Sequence, residues 1–269
     1  MPDPNFENHI SRFHKLCKNL GKTQLDGQKN LEINLKDDNT PVTNIDLYSS
    51  KIIVQHISKY FENDIIISEE SYTSNHGISS YWLVDPIDGT KNYINGGKEF
   101  CICISYIKND YPIFGIIYIP ANDEFYYAIE NKGSFLIDNK SNKPTKIINT
   151  NAQNNIYVSS AIRKSLVDML ENNFENSNLV YMSSAVKFVR IAEGKGHFSL
   201  RLGPTYEWDT AAGQCIIEQS GGIFLNKDLN RFSYGHKDDY LNGPFFVING
   251  NIDKYKSTIL QSLSLVELT

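Results

Sequence analysis

Between Phe100 and Ile129 the chain carries three short runs, Phe100 to Ile107, Pro112 to Ile119 and Glu124 to Ile129, divided only by brief turns. The first is an alternating apolar run, and a strand puts its successive side chains on opposite faces. Turns this short join antiparallel neighbours. A sheet of antiparallel strands is therefore the framework of the first half. Ahead of it, Phe6, Ile10, Phe13, Cys17 and Leu20 recur at helical spacing. A second helix is expected from about Asn44 to Phe61, with Leu47, Ile52, Ile53, Ile57 and Tyr60 on its apolar side. Asp64 to Ile67 reads as a short buried strand that closes at Ser68-Glu69-Glu70. Tyr81 to Asp85 reads as another strand, stopped by Pro86.

The second half has a different rhythm. Strands are expected at Tyr157 to Ser160, Leu179 to Met182, Phe198 to Leu202, Gly222 to Leu225 and Phe245 to Ile248. Helices alternate with them at Lys164 to Asn172, Ala185 to Glu193, Trp208 to Gln219 and Ile252 to Leu263. The polar, Asn-rich stretch from about Lys140 to Asn155 is the best place for a boundary. It divides a first lobe, 1–145, from a second, 146–269. A β-rich lobe followed by an alternating one is an α/β (α+β) chain.

With 41% hydrophobic and 21% charged residues the chain is an ordinary globular one, neither disordered nor fibrous. Twenty-six basic residues against 31 acidic give a net charge of −5, without the basic excess of a nucleic-acid binder. Cys17, Cys101, Cys103 and Cys215 form no zinc-ligand spacing and read as reduced thiols used as small hydrophobes. Cys101 and Cys103, two apart on a strand, face the same side. The opening MPDPNFENHI has no signal-peptide pattern, and no apolar stretch approaches the roughly 20 residues that span a bilayer. A cytoplasmic protein is expected.

The strongest local signal is LVDPIDGTKNY, Leu83 to Tyr93. Asp85 closes an apolar strand and Asp88 follows three residues later, which suits hard divalent cations. The amides of Gly89 and Thr90 suit a phosphate. Taken alone the segment is equally a surface turn, because Asp, Pro and Gly are turn residues. Two further acidic positions also stand at the ends of core elements: Glu69 and Glu70 after a strand, and Asp209 at the start of a helix in EWDTAAG. Each could be a solvated or capping carboxylate. Converging on one cleft, they need cations to offset their repulsion, and two Mg²⁺ ions there clamp a transferring phosphoryl group.

The blocks KDDNTPVTNID, SEES, WLVDPIDGTKNY and EWDTAAG followed by SGG resemble, in this order and spacing, the lithium-sensitive, magnesium-dependent phosphatase superfamily that includes inositol monophosphatase. RLGPTYEWDTAAGQ and YLNGPFFV are most similar to its CysQ branch, the 3′(2′),5′-bisphosphate nucleotidases. The resemblance implies a layered αβαβα sandwich of the inositol monophosphatase and sugar phosphatase type. It implies two or three Mg²⁺ ions held by Glu69, Asp85, the Ile87 carbonyl, Asp88 and Asp209. It implies catalytic roles for Asp38 and Thr90, which orient and deprotonate the attacking water, with Asp46 behind Thr90. In related monophosphatases the Asp–Thr pair is itself the activator, so Asp38 and Asp46 both stand as candidates. Substrate contacts fall on Glu69, Ile87, Asp88, Gly89, Thr90, Ser184, Lys187, Arg201 and Asp209. Ser184 and Lys187 face the remaining phosphate or ribose, and Arg201 the anionic end.

The expected reaction removes the 3′-phosphate of adenosine 3′,5′-bisphosphate, with its 5′-phosphosulfate relative as a second candidate substrate and with inhibition by Li⁺. The expected partner is that small nucleotide, not nucleic acid. By the same resemblance the chain is a monomer or homodimer, with peripheral attachment to the inner membrane open to it. Two departures stand out: Arg163 occupies a position where many relatives carry His, and SEES lacks a following Asp-Pro. An inositol-1-phosphate phosphatase with the same metals is the rival within the superfamily. A non-catalytic nucleotide-binding regulator is the rival from another class.

Overall fold

The computed structural model describes residues 4–36, 38–72, 78–148, 152–236 and 239–267. A 3₁₀ turn, Phe6–His9, leads into α1 (Ile10–Gly27), the hairpin of β1 (Ile33–Leu35) and β2 (Pro41–Thr43), and α2 (Asn44–Tyr60). Then come β3 (Ile66–Ser68), β4 (Ser80–Asp88), α3 (Thr90–Ile94), β5 (Cys101–Lys108), β6 (Tyr111–Ile119), β7 (Glu124–Ile129), β8 (Gly133–Ile137) and β9 (Thr145–Ile147). Among the described residues β3 to β9 form a seven-stranded sheet in sequence order, antiparallel except for the β3–β4 pair. The remainder comprises β10 (Asn155–Val158), α4 (Lys164–Asn173), β11 (Asn178–Tyr181), α5 (Val186–Ala192), β12 (Phe198–Arg201), α6 (Glu207–Ser220), β13 (Ile223–Asn226), β14 (Phe245–Ile248) and α7 (Lys256–Glu267). A five-stranded sheet takes the order β11-β10-β12-β14-β13, with β10 parallel to both its neighbours and β14 antiparallel to both of its own.

Strand alternation builds the layers. On β4 and β5, Trp82, Val84, Ile102, Ile104 and Tyr106 point to one side and meet Phe6, Phe13 and Cys17 of the N-terminal helical segment and Ile53 and Ile57 of α2. Tyr81, Leu83, Cys101, Cys103 and Ile107 point to the other side and meet Phe188 of α5 and Ala211, Ala212 and Cys215 of α6. The same middle layer receives Phe224, Phe245 and Val247 of the small sheet. The far face of that sheet packs Ile156, Phe198 and Phe246 against Leu166 and Leu170 of α4 and Ile259 of α7. The order is helices, sheet, helices, sheet, helices, the αβαβα sandwich that the resemblance implied. Gly115 lets α6 lie on the large sheet: a Cβ there would stand 2.7 Å from the Ala212 carbonyl.

Pro86 does not stop β4, which runs on to Asp88. The pairing register with β5 shifts between Asp85 and Asp88, and a proline is tolerated where the ladder is broken. The stretch expected to be a boundary contains β9, paired to β8, while residues 149–151 of it lie outside the described residues. All four cysteines are buried and unbridged. Among the described residues no helix is long and apolar enough to cross a membrane.

Candidate active site

The break in β4 makes the site. Asp85 shares the strand face of Tyr81 and Leu83, so it points at the middle helical layer and is only 2% exposed. The Ile87 N–H donates to Asp85 Oδ1 at 2.9 Å and folds the bulge back on its carboxylate. Gly89 follows at φ +99°, and a Cβ on it would lie 2.8 Å from the Glu99 carbonyl, so the tight turn into α3 needs glycine. Asp88 Oδ2 accepts from the Ala185 N–H and from the Cys101 thiol. Across the middle layer, the first turn of α6 presents Asp209, whose Oδ2 accepts the Tyr206 N–H at 2.8 Å.

Ligand atoms of Asp85, Asp88 and Asp209 thereby lie within 4.8 Å of one another. Burial raises the pKa of all three above the usual carboxylate range. Repulsion adds to it: Glu69, Asp88 and Asp209 act on Asp85, and Asp88 and Glu69 act on Asp209. Lys187 and the Ala185 N–H pull Asp88 the other way. Glu69 and Glu70 stand at the end of β3 and share the Lys36 ammonium, at 2.7 and 2.9 Å. Burial and the Glu69 charge nevertheless push the Glu70 carboxyl up to about 7.

Asp46 is buried in the first turn of α2. Its Oδ2 is held by the N–H and hydroxyl of Thr43, a reciprocal cap. Its Oδ1 faces Thr90, whose hydroxyl lies 3.4 Å away and also reaches the Ile87 carbonyl at 3.0 Å. Burial raises the Asp46 pKa. Asp38 is different: it is exposed, and its Oδ1 accepts the hydroxyl and N–H of Thr40 at 2.6 and 2.9 Å, which lowers its pKa.

These groups open on a cavity of about 650 Å³. Asp38, Glu69, Asp85, Ile87, Asp88, Gly89, Thr90 and Asp209 line it together with Lys187 and Arg201, whose charges act on Asp88 and Asp209. Lys187 is buried, with Nζ 3.0 Å from the Ser184 carbonyl, and burial lowers its pKa while Asp88 opposes that. Arg201 donates to Ser159 Oγ at 2.7 Å and to the Pro204 carbonyl at 3.1 Å, leaving its buried Nε without a hydrogen-bond partner. Arg201 also borders a smaller pocket of about 260 Å³ that reaches Arg163. Ser184 is fully buried and does not line the cavity, whereas its neighbour Ser183 does. The Lys36 bridge and the lining residues Ser183 and Tyr206 were missed from sequence. Lys36 opens the KDDNTPVT block, but nothing in the spacing placed it on Glu69.

Carboxylate oxygens and one main-chain carbonyl are hard donors, and three of the carboxylates crowd together with the charges of Lys187 and Arg201 acting on them. Such a set fits Mg²⁺. A family model described as the inositol monophosphatase family matches residues 11–259. The chain is 34% identical over 225 residues to the 3′(2′),5′-bisphosphate nucleotidase CysQ of Buchnera aphidicola, covering 81% of this chain and 84% of that one. It is 29% identical over 228 residues to the protein of the same name from Aggregatibacter actinomycetemcomitans, covering 82% and 84%. In fold it is similar to an IMPase of Thermotoga maritima, with TM-score 0.78 and 21% identity over 96% of this chain and 99% of that one. It is likewise similar to CysQ of Bacteroides thetaiotaomicron, with TM-score 0.71 and 24% identity over 90% and 99%.

Proposed function

The chain belongs to the inositol monophosphatase family, and we propose that within it the protein is a magnesium-dependent 3′(2′),5′-bisphosphate nucleotidase. It converts adenosine 3′,5′-bisphosphate to AMP and phosphate, and accepts the 5′-phosphosulfate analogue by the same contacts. The observation that carries this reading is one cavity that holds both a carboxylate cluster and two buried or half-buried cations. Asp85, Asp88 and Asp209 crowd together in it, and Lys187 and Arg201 line the same cavity. The first set handles the phosphate that is cleaved, and the second holds the phosphate that stays. The sequence likeness to nucleotidases named CysQ points the same way.

Glu69, Asp85, the Ile87 carbonyl, Asp88 and Asp209 would hold the Mg²⁺ ions. Bound there, the ions supply charge neutralisation and Lewis acidity toward the phosphoryl group. The chain itself does the rest. The amides of Gly89 and Thr90 orient the phosphoryl oxygens. The Thr90 hydroxyl positions the attacking water, and Asp46 behind it accepts the proton as the P–O bond forms. Asp46 is favoured over Asp38 because its Oδ1 accepts the Thr90 hydroxyl, whereas Asp38 is exposed and bonded to Thr40. Asp38 stays at the rim as a polar contact. Lys187 and Arg201 pair with the 5′-phosphate, and Ser183 takes the nearby contact expected of Ser184. The division into lobes 1–145 and 146–269, with the cleft between, belongs to this reading, as does a cytoplasmic location.

The test is a phosphate-release panel in Mg²⁺, with and without Li⁺, comparing adenosine 3′,5′-bisphosphate with inositol 1-phosphate. Preference for the nucleotide and inhibition by Li⁺ are expected. Faster turnover of inositol 1-phosphate would overturn the assignment. Tight nucleotide binding without phosphate release would make the protein a regulator.

A further inference from the structure

Two residues of the large sheet stand next to the carboxylates without a part in the proposed reaction. Cys101 and Cys103 share the face of β5 that turns toward the middle layer, with their sulfurs 3.9 Å apart. Cys101 Sγ lies 3.5 Å from Asp88 Oδ2. Ligand atoms of Asp88, Cys101 and Cys103 all fall within 4.8 Å of one another. Zinc bound tetrahedrally at about 2.3 Å to sulfur spans about 3.8 Å between two sulfurs. With oxygen at about 2.1 Å, the sulfur–oxygen span is about 3.6 Å. The two distances resolved here match both spans before any ion is bound.

We propose that Asp88, Cys101 and Cys103 form a site for a thiophilic divalent cation of the zinc class, and that an ion held there inhibits by taking Asp88 from the Mg²⁺ set. The inhibition rests on the proposed phosphatase reading; the binding does not. Thiolate donors select zinc-class ions over Mg²⁺, which keeps to oxygen. Asp88 borders the cavity and Cys101 and Cys103 lie buried behind it, so the ion enters past the Asp88 carboxylate, and three protein ligands leave a fourth position for a further donor. Loading deprotonates both thiols, and two protons leave for each ion bound. Lys187, close to Asp88, opposes the ion with one positive charge; two thiolates and a carboxylate outweigh it.

The test titrates the full chain with Co²⁺ in excess Mg²⁺ and follows the ultraviolet thiolate-to-cobalt charge-transfer absorption, then displaces the Co²⁺ with Zn²⁺. One equivalent of intense absorption is expected in the unaltered chain, and loss of it in Cys103→Ala, with Cys103→Ser as the second variant should the first not fold. Zn²⁺ inhibition of phosphate release, each variant scaled to its own rate, is expected to weaken by at least about tenfold. Absence of the band in the unaltered chain overturns the proposal. So does a band that persists in Cys101→Ala/Cys103→Ala, which would place the ion at Cys17 or Cys215. Equal Zn²⁺ inhibition of the unaltered chain and Cys103→Ala also overturns it, because the ion would then act at the carboxylates alone. A cysteine-dependent band in a chain that releases phosphate from no substrate leaves the site standing and refutes the phosphatase reading instead.

Discussion

Asp85→Asn should stabilise the metal-free protein while abolishing its activity. The change is nearly isosteric, and the Asn carbonyl can still accept the Ile87 N–H that Asp85 Oδ1 accepts at 2.9 Å. What disappears is one charge in a cluster whose ligand atoms lie within 4.8 Å of one another. At an effective dielectric constant of about 20, two unit charges at that spacing repel by about 3.5 kcal/mol. Asp85 takes part in two such pairs and also feels Glu69. The protein relieves part of this by taking up protons, so the recoverable gain is smaller than the sum, about 2–4 kcal/mol near pH 8.

The pH dependence has a definite sign. Because the folded Asp85 pKa is raised above its ordinary 3.8, the folded state binds more protons than the unfolded state once the pH passes that value. Stability is then lost progressively as the pH rises from 3.8 to the folded pKa, and the penalty is complete above it. The advantage of Asp85→Asn should therefore grow with pH over that window and vanish in acid. Urea unfolding in EDTA from acid to pH 8, repeated in Mg²⁺, measures it. The unaltered chain should gain strongly from Mg²⁺ at high pH, and Asp85→Asn very little. A variant less stable than the unaltered chain in EDTA at pH 8, or a gap that does not change with pH, would refute the reasoning.

Thr90→Ala and Asp46→Asn should each lower kcat by about 10²–10⁴-fold with little change in KM, whereas Asp38→Asn should cost under tenfold; equal losses in steady-state assays would return Asp38 to the role of base. Arg201→Met should raise KM for adenosine 3′,5′-bisphosphate by roughly tenfold, about 1.4 kcal/mol, and leave KM for 3′-AMP nearly unchanged. A parallel rise for both substrates would detach Arg201 from the retained phosphate. Gly89→Ala should destabilise by about 1–3 kcal/mol in urea unfolding, since it combines a positive φ with a Cβ 2.8 Å from the Glu99 carbonyl; an unchanged midpoint would mean the turn relaxes freely.

The layers were legible because alternation and helical spacing are local signals. Ile102, Ile104 and Tyr106 sort from Cys101 and Cys103 by period alone, and the helix carrying Asp209 was placed within a residue of its observed start at Glu207. The errors share a cause. Pro86 reads as a stop because a proline gives no ladder hydrogen bond, but the ladder is already broken between Asp85 and Asp88. β9 is three residues long in a polar stretch, and its pairing with β8 comes from the neighbouring strand more than from its own side chains. Ser183 lines the cavity beside the buried Ser184, a neighbour that shares its chemistry and that no spacing signal set apart.

Proximity between distant segments was the part that no local signal carried, and it is also what makes the site dependent on the whole fold. Asp85 and Asp88 come from one broken strand, Asp209 from the first turn of α6, and Lys187 from α5. They meet because α6 is nearly wrapped in core, with Trp208, Ala211, Ala212 and Cys215 buried and Gly115 giving it room on the large sheet. Apolar packing of α6 thus forces three mutually repelling carboxylates together. The burial of those neighbouring side chains, at about 25 cal/mol per Å² of apolar surface, outweighs a repulsion of a few kcal/mol. A cavity introduced under α6, such as Trp208→Ala, should consequently loosen the carboxylate cluster and lower metal affinity at a distance. If isothermal titration with Mg²⁺ found that affinity unchanged in Trp208→Ala, the carboxylates would owe their spacing to local turns instead of to the packing of α6.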